Sequence, residues 1–211
     1  RFRGQATPPR HRLAGPHALM EELDRLLGVL HEGGVVACPT ETWLGLLADA
    51  RNEQAIEKVA ALKGRPADMP IALLLPNPQA LTEVALPPSS AAQALMDAHW
   101  PGPLTLLVHA KTQLSARLVR DGKVGVRVPG PSPAAELVRA FGHPLTATSA
   151  NLSGEPPLRS AAELPRELAR GLDASVPGVS PGGAASTLLD ATTSPMALLR
   201  DGPIELDLTA L

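Results

Sequence analysis

The chain has one cysteine, no tyrosine, and aromatic side chains at only 2% of its 211 positions. A single thiol closes no internal disulfide, so the composition predicts a protein of a reducing compartment, the cytoplasm. With so few rings the core has to be aliphatic, built from Leu, Val, Ile and Ala. The same scarcity removes the row of stacking aromatics on which single-strand nucleic-acid binders rely. No apolar run approaches the ~18 residues of a membrane helix, so no membrane partner is expected. The charged, apolar and small-residue succession of a signal peptide is also missing from the start. Net charge is only −2, which argues against tight non-specific binding to nucleic acid.

What remains is a chain that can fold. Hydrophobic residues are 44% and charged residues 19%, a balance that buries a core. The length suits one domain. Residues 1–14 carry Arg1, Arg3, Arg10, His11 and Arg12 around Pro8 and Pro9, and predict a flexible basic arm. Residues 15–211 are then the folded domain.

Helical spacing places Leu19, Met20, Leu23, Leu26, Leu27 and Leu30 on one face, and Gly33 and Gly34 end that helix. Val35 to Cys38 reads as a buried strand. Asn52 caps a second helix that runs towards Gly64 and Pro66. Ile71 to Leu75, Leu104 to Val108, Val124 to Val128 and Leu145 to Thr148 read as strands. Helices are expected from Ser90 to His99 and, behind Ser132, from Pro133 to Phe141. Ser160 with Glu163 resembles a capping box close to Pro165. Ser186 to Leu189 and Leu198 to Arg200 are the last strands. This alternation predicts an α/β fold with a mixed sheet. The 23 prolines sit mostly in connections, which they stiffen.

The common catalytic signatures are missing: there is no Walker A loop, no G-x-G-x-x-G, no G-x-S-x-G, and the six histidines have no metal-ligand spacing. Cys38 closes an apolar strand and reads as a small buried hydrophobe. Polar residues gather instead at strand ends, where α/β sheets build ligand sites. Five segments stand out: Pro39-Thr40-Glu41-Thr42, Lys63-Gly64-Arg65-Pro66, Val126-Arg127-Val128-Pro129, Thr148-Ser149-Ala150-Asn151, and Ser186-Thr187 with Arg200. Each alone has an ordinary reading. Thr40 and Thr42 suit a turn, Lys63 and Arg65 suit a helix C-terminus, and Ser149 and Asn151 suit a turn as well. Arg127, among valines, calls for an anionic partner, because a buried unpaired charge is costly.

Taken in order, these segments resemble the signature of the YrdC-like family, the threonylcarbamoyl-adenylate synthases. Gly34 to Leu46 is similar to its opening strand and loop, and Lys63 through Pro70 to its phosphate loop. Trp100-Pro-Gly-Pro-Leu-Thr105, Gly125 to Pro129, Thr148 to Gly154 and Ser186 to Asp190 complete the series. The resemblance runs from about Leu23 to Gly202 and is to the short, single-domain form. Departures occur at Trp43-Leu44, where Val-Tyr is usual, at Leu47 in place of Gly, and at Lys123 in place of a small polar residue.

The resemblance implies a twisted mixed sheet with flanking helices around a basic concave cavity. It implies synthesis of threonylcarbamoyl-AMP from L-threonine, bicarbonate and ATP, with Mg²⁺ accompanying ATP and pyrophosphate released. The product serves threonylcarbamoyladenosine (t6A) modification of transfer RNA by downstream proteins. Lys63, Arg65, Ser149, Asn151 and Arg200 are then expected at ATP, and Thr40, Arg127, Ala147 and Ser186 at threonine. Lys63 and Arg65 are expected to converge on one anion. No nucleophile, general base or protein-held metal is expected, since positioning and electrostatics suffice. Two alternatives are a paralogue of different substrate and a non-catalytic factor binding double-stranded RNA or transfer RNA.

Overall fold

Local signals start and stop the elements much as the spacing predicts. The computed structural model describes residues 16–66 and 68–206, so the basic arm lies outside the described residues. Among the described residues the five main helices are α1 (Pro16–His31), α2 (Glu53–Lys63), α4 (Ser90–His99), α5 (Pro133–Phe141) and the short α6 (Arg166–Arg170), with a single turn α3 (Leu81–Val84) between α2 and α4. The Asn52 side chain accepts from the N–H groups of Gln54 and Ala55, and Gly64 closes α2 in the left-handed region at φ 56°. Ser89 and Ser132 cap α4 and α5 in the same way.

α1 departs from expectation on its face. Leu26 and Leu30 are buried and Leu23 and Leu27 partly so, but Leu19 and Met20 are exposed. An apolar stripe is buried only where another element meets it, and α1 packs on a strand and on α5. The Ser160–Glu163 bond does form, at 2.8 Å, yet a 3₁₀ turn follows it. Pro165 then interrupts the N–H ladder, and α6 begins after it.

The strands are β1 (Val36–Pro39), β2 (Leu44–Leu47), β3 (Ala72–Leu74), β4 (Leu104–His109), β5 (Val119–Arg120), β6 (Lys123–Arg127), β7 (Leu145–Ser149), β8 (Ala174–Ser175), β9 (Thr187–Asp190) and β10 (Ala197–Arg200). They form one sheet in the order β10-β9-β4-β6-β3-β7-β2-β1-β8, with β5 hairpinned onto β6. β1/β8, β3/β6 and β4/β9 pair in parallel and the other neighbours antiparallel, so the sheet is mixed. β2 and β8 carry no signal in the sequence. All four residues of β2 are buried, so its Leu-Gly-Leu-Leu does not alternate, and β8 has two residues.

The sheet has two unlike faces. On one, Leu73, Leu104, Leu106, Val124, Val126 and Leu189 pack into the larger core. On the other, Cys38, Leu47, Leu74 and Leu145 pack against α1 and α5 over only part of the surface. Burial pushes the Cys38 thiol up to about 12, helped by Glu136, so it is an inert filler as expected. The rest of that second face is open, and there the functional residues gather.

Candidate active site

Strand alternation builds the wall of the site. Lys123, Gly125 and Arg127 of β6 point one way, while Val124 and Val126 enter the core. Thr105 and Leu107 of β4 and Leu188 and Asp190 of β9 line the same concavity, which encloses about 640 Å³. That volume suits a nucleotide-sized ligand. Ala147 and Ser149 of β7, and Thr40, Thr42 and Trp43 of the β1–β2 loop, close one side, with Arg65 and Arg200 also facing in.

Four arginines line this cavity, and three of them, Arg65, Arg127 and Arg200, are each held differently. Arg65 donates from Nε to the Met69 carbonyl and from Nη2 to the Pro70 carbonyl, both at 2.8 Å. The loop after α2 is thus wrapped around its own guanidinium. Arg200 donates from Nε to the Ser186 carbonyl at 3.0 Å and from Nη2 to its Oγ at 3.1 Å. Ser186 in turn lies 2.8 Å from Thr105 Oγ1. Arg127 is 7% exposed, and its Nη1 stands 2.9 Å from Glu41 Oε1. This ion pair lacks hydrogen-bond alignment: both Glu41 oxygens are buried without a hydrogen bond. Burial pulls the Arg127 guanidinium down, Glu41 pulls it up, and Arg200 pulls it down again. It stays charged, since arginine does not deprotonate in proteins.

Six of the nine expected positions, Thr40, Arg65, Arg127, Ala147, Ser149 and Arg200, reach the cavity wall directly. Lys63, Asn151 and Ser186 stand behind it. Lys63 is 2% exposed and does not converge with Arg65 on a common point. Its ammonium donates to the carbonyl of Ser149, to that of Asn151 at 2.6 Å and to Asn151 Oδ1 at 3.3 Å. Asn151 Nδ2 donates onward to the carbonyls of Leu152 and Glu155, at 2.9 and 2.6 Å. The end of α2 is thus stapled to the loop after β7, because three backbone and amide oxygens are better partners for a buried ammonium than open cavity. Thr40 lines the cavity, but its hydroxyl is committed to the loop. Oγ1 donates to the Trp43 carbonyl at 2.7 Å and accepts from the N–H groups of Thr42 and Trp43, both at 3.1 Å.

Other cavity residues were not expected at a ligand. Lys123 Nζ meets Asp190 Oδ2 at 2.6 Å, and Asp190 Oδ1 also accepts from the Thr192 N–H and hydroxyl. Burial raises the Asp190 carboxyl, but Lys123 and Thr192 outweigh it and hold it low. Arg120 at the β5–β6 turn donates to the Asp68 carbonyl at 3.1 Å, tying that hairpin to the Arg65 loop. Period-two spacing from Arg127 back to Lys123 was a usable signal. Asp190 and Arg120 had none, since their neighbours in space are far away in sequence. Among the described residues, no group of three His, Cys, Asp or Glu could hold a metal, and no helix is long and apolar enough to cross a membrane.

A mixed sheet with flanking helices, cupping a cavity that arginine side chains line, defines a single α/β domain. The Sua5/YciO/YrdC family model, described as "Telomere recombination", matches residues 28–202, and the chain belongs to that family. It is 35% identical over 183 residues to a protein of Pyrococcus abyssi named threonylcarbamoyl-AMP synthase, covering 85% of this chain and 54% of the relative. A protein of the same name from Halorhodospira halophila is 40% identical over 151 residues, with 71% of this chain and 78% of the relative covered. One from Xanthomonas campestris is 35% identical over 191 residues, covering 88% of this chain and all of the relative. The chain thus spans about half the length of the curated Pyrococcus relative and the whole of the Xanthomonas one. Among solved structures, P. abyssi Sua5 complexed with L-threonine superposes with a TM-score of 0.81 at 32% identity, over 89% of this chain and 56% of that one. Escherichia coli YciO, at 22% identity and a TM-score of 0.80, shares the fold over 89% of this chain and 92% of its own.

Trp43 is a built-in reporter of this cavity. It lines the wall and is partly exposed, whereas Trp100 is buried with its indole N–H donated to the Leu104 carbonyl at 2.8 Å. Emission from Trp43 is expected to change on adding ATP with threonine in a Trp100→Phe background. An unchanged spectrum at saturation, with binding confirmed by calorimetry, would place the ligands away from the β1–β2 loop.

Proposed function

We propose that this chain forms threonylcarbamoyl-AMP from L-threonine, bicarbonate and ATP, for t6A modification of transfer RNA. The observation that carries this reading is the meeting of Arg65, Arg127 and Arg200 in one cavity large enough for a nucleotide and an amino acid. Its support from relatives is their shared name and the L-threonine in the P. abyssi complex.

The reaction sets the demands on the residues. Threonine's ammonium and bicarbonate condense to a carbamate with loss of water and a proton. A carbamate oxygen then bonds to the α-phosphorus of ATP, the bond from that phosphorus to the bridging oxygen breaks, and pyrophosphate leaves. An anion attacks a polyanion, so fixed positive charge must surround the meeting point. Arg65 and Arg200 present planar donors to phosphate oxygens, pre-set by Met69, Pro70 and Ser186. Arg127, buried and with hydrogen bonds to spare, takes the threonine carboxylate. Lys63 and Asn151 act at one remove by shaping the loop that carries Ser149. Mg²⁺ arrives as part of the ATP substrate, bridging its phosphates, and the cavity carboxylate Asp190 is engaged by Lys123 and Thr192. The cytoplasm is the compartment where these substrates and transfer RNA coexist.

Pyrophosphate release is expected only when ATP, a divalent metal, L-threonine and bicarbonate are all present. Equal release without threonine, measured by a coupled phosphate assay, would overturn the reading. Release supported by another amino acid in its place would redirect it to a paralogous substrate.

A further inference from the structure

Glu41 is the buried charge that the chemistry above does not use. Its side chain is 11% exposed, both carboxylate oxygens are sealed from solvent, and neither has a hydrogen bond. A buried carboxylate normally accepts several bonds, because leaving it bare is costly. Among the described residues, the compensation is the charge of Arg127, at 2.9 Å and out of hydrogen-bond alignment. Glu41 is also fixed in place. Thr40 and Thr42 on either side are tied into a tight turn, and its Cγ lies 3.3 Å from where a Cβ on Gly130 would stand. A side chain on residue 130 would displace it.

The pairing has two consequences for what the cavity binds. First, Arg127 is held by Coulomb attraction without its donors being consumed, so its fork remains available. Second, the pair is neutral as a unit. A bare anion approaching Arg127 meets the opposing field of Glu41 a few ångströms behind it, in a poorly screened interior. A zwitterion does not, because its own positive group is attracted by the same carboxylate. Among the described residues, Arg65 and Arg200 have no carboxylate beside them in this way; their guanidinium groups are held by neutral carbonyl and hydroxyl oxygens. Of these three guanidinium groups two are therefore uncompensated and one compensated; the other cavity cations, Lys123 and Arg120, stand beside Asp190 and Asp121.

We infer that Glu41 is a specificity residue: by neutralising Arg127 it reserves that position for an α-amino acid zwitterion and turns simple anions, including the triphosphate, to Arg65 and Arg200. This rests on the reading of Arg127 as the carboxylate site. Glu41 needs no contact with the ligand, since the discrimination is by charge.

The test compares L-threonine with 3-hydroxybutyrate, the same skeleton without the α-amino group. Calorimetric titration of the parent chain should show a clear preference for threonine. In Glu41→Gln that preference should fall about tenfold or more, the scale of one charge–charge interaction in a buried site. Both arms contribute, because the zwitterion loses an attraction and the anion loses a repulsion. Glu41→Asp keeps the charge and should keep most of the preference, which separates charge from shape. Circular dichroism establishes that each variant is folded; should Glu41→Gln not fold, the parent and Glu41→Asp titrations decide. A parent that binds both ligands equally, an unchanged ratio in Glu41→Gln, or a collapse of the ratio in Glu41→Asp overturns the inference. No binding of threonine to the parent overturns the proposed function along with it. Threonine binding that survives in Arg127→Lys unchanged overturns the carboxylate assignment instead.

Discussion

Replacing Arg127 by lysine is expected to raise the threonine concentration needed for half-maximal activity about ten- to hundred-fold, the cost of a charge-assisted hydrogen bond. The affinity for ATP should change little. Arg127 presents a planar fork that matches a carboxylate with two parallel bonds; a lysine keeps the charge and loses the second bond. The strand register makes the substitution informative. β6 is paired on both sides, with Leu106 opposite Val126 in β4 and Leu74 opposite Arg127 in β3, so the backbone has little room to readjust. Arg127→Ala is a poorer probe. It would leave Glu41 buried with no countercharge, a change that typically costs about 3–5 kcal/mol of stability. Steady-state kinetics with each substrate varied in turn checks the prediction. A fall in ATP affinity with the threonine dependence unchanged would assign Arg127 to the phosphates.

Lys63→Met should cost more in stability than in chemistry. Methionine has nearly the same length and no donors, so the carbonyls of Ser149 and Asn151 and the amide oxygen of Asn151 lose their shared partner. Unsatisfied buried groups typically cost about 1–3 kcal/mol each, partly relieved by water, so a loss of about 2–5 kcal/mol is expected. ATP affinity should fall only as the loop after β7 loosens. The pH dependence gives a second readout. Burial, with Arg65 nearby, pulls the Lys63 ammonium down from 10.5 to about 8. Below about 8 both folded and unfolded chains hold the proton and the residue adds no pH dependence. Above that, the unfolded chain binds a proton that the folded chain has released, so the parent gains stability with rising pH up to the ordinary lysine range. That contribution is fully present above 10.5 and lost as pH falls through about 8. Urea midpoints for parent and variant should therefore diverge between these values. A constant difference would mean that the ammonium is not perturbed by burial.

The behaviour of Lys63 illustrates where linear reading stops. Two cations two residues apart beyond a helix look like one anion site. Yet Lys63 is the last residue of α2 and Arg65 follows the left-handed Gly64, so the chain reverses between them. One side chain turns under the β7 loop and the other towards the cavity. Thr40 is similar: a hydroxyl in a polar loop reads as a ligand group, but its bonding capacity is spent on the turn that places Glu41 and Trp43.

By itself the sequence determined the helices with side-chain caps, the long apolar strands, the mixed α/β class and the residues whose ordered motifs mark the family. These are properties of period, capping and spacing, which act over a few residues and survive in one dimension. Only the tertiary structure decided which polar residues share a cavity, because that depends on a strand order in which β4 lies between β9 and β6 and β7 between β3 and β2. It alone brought Glu41 against Arg127, 86 positions apart, and turned Lys63 and Asn151 into struts. The physical reason is that burial and pairing of charge are set by neighbours in space, and no local pattern records them.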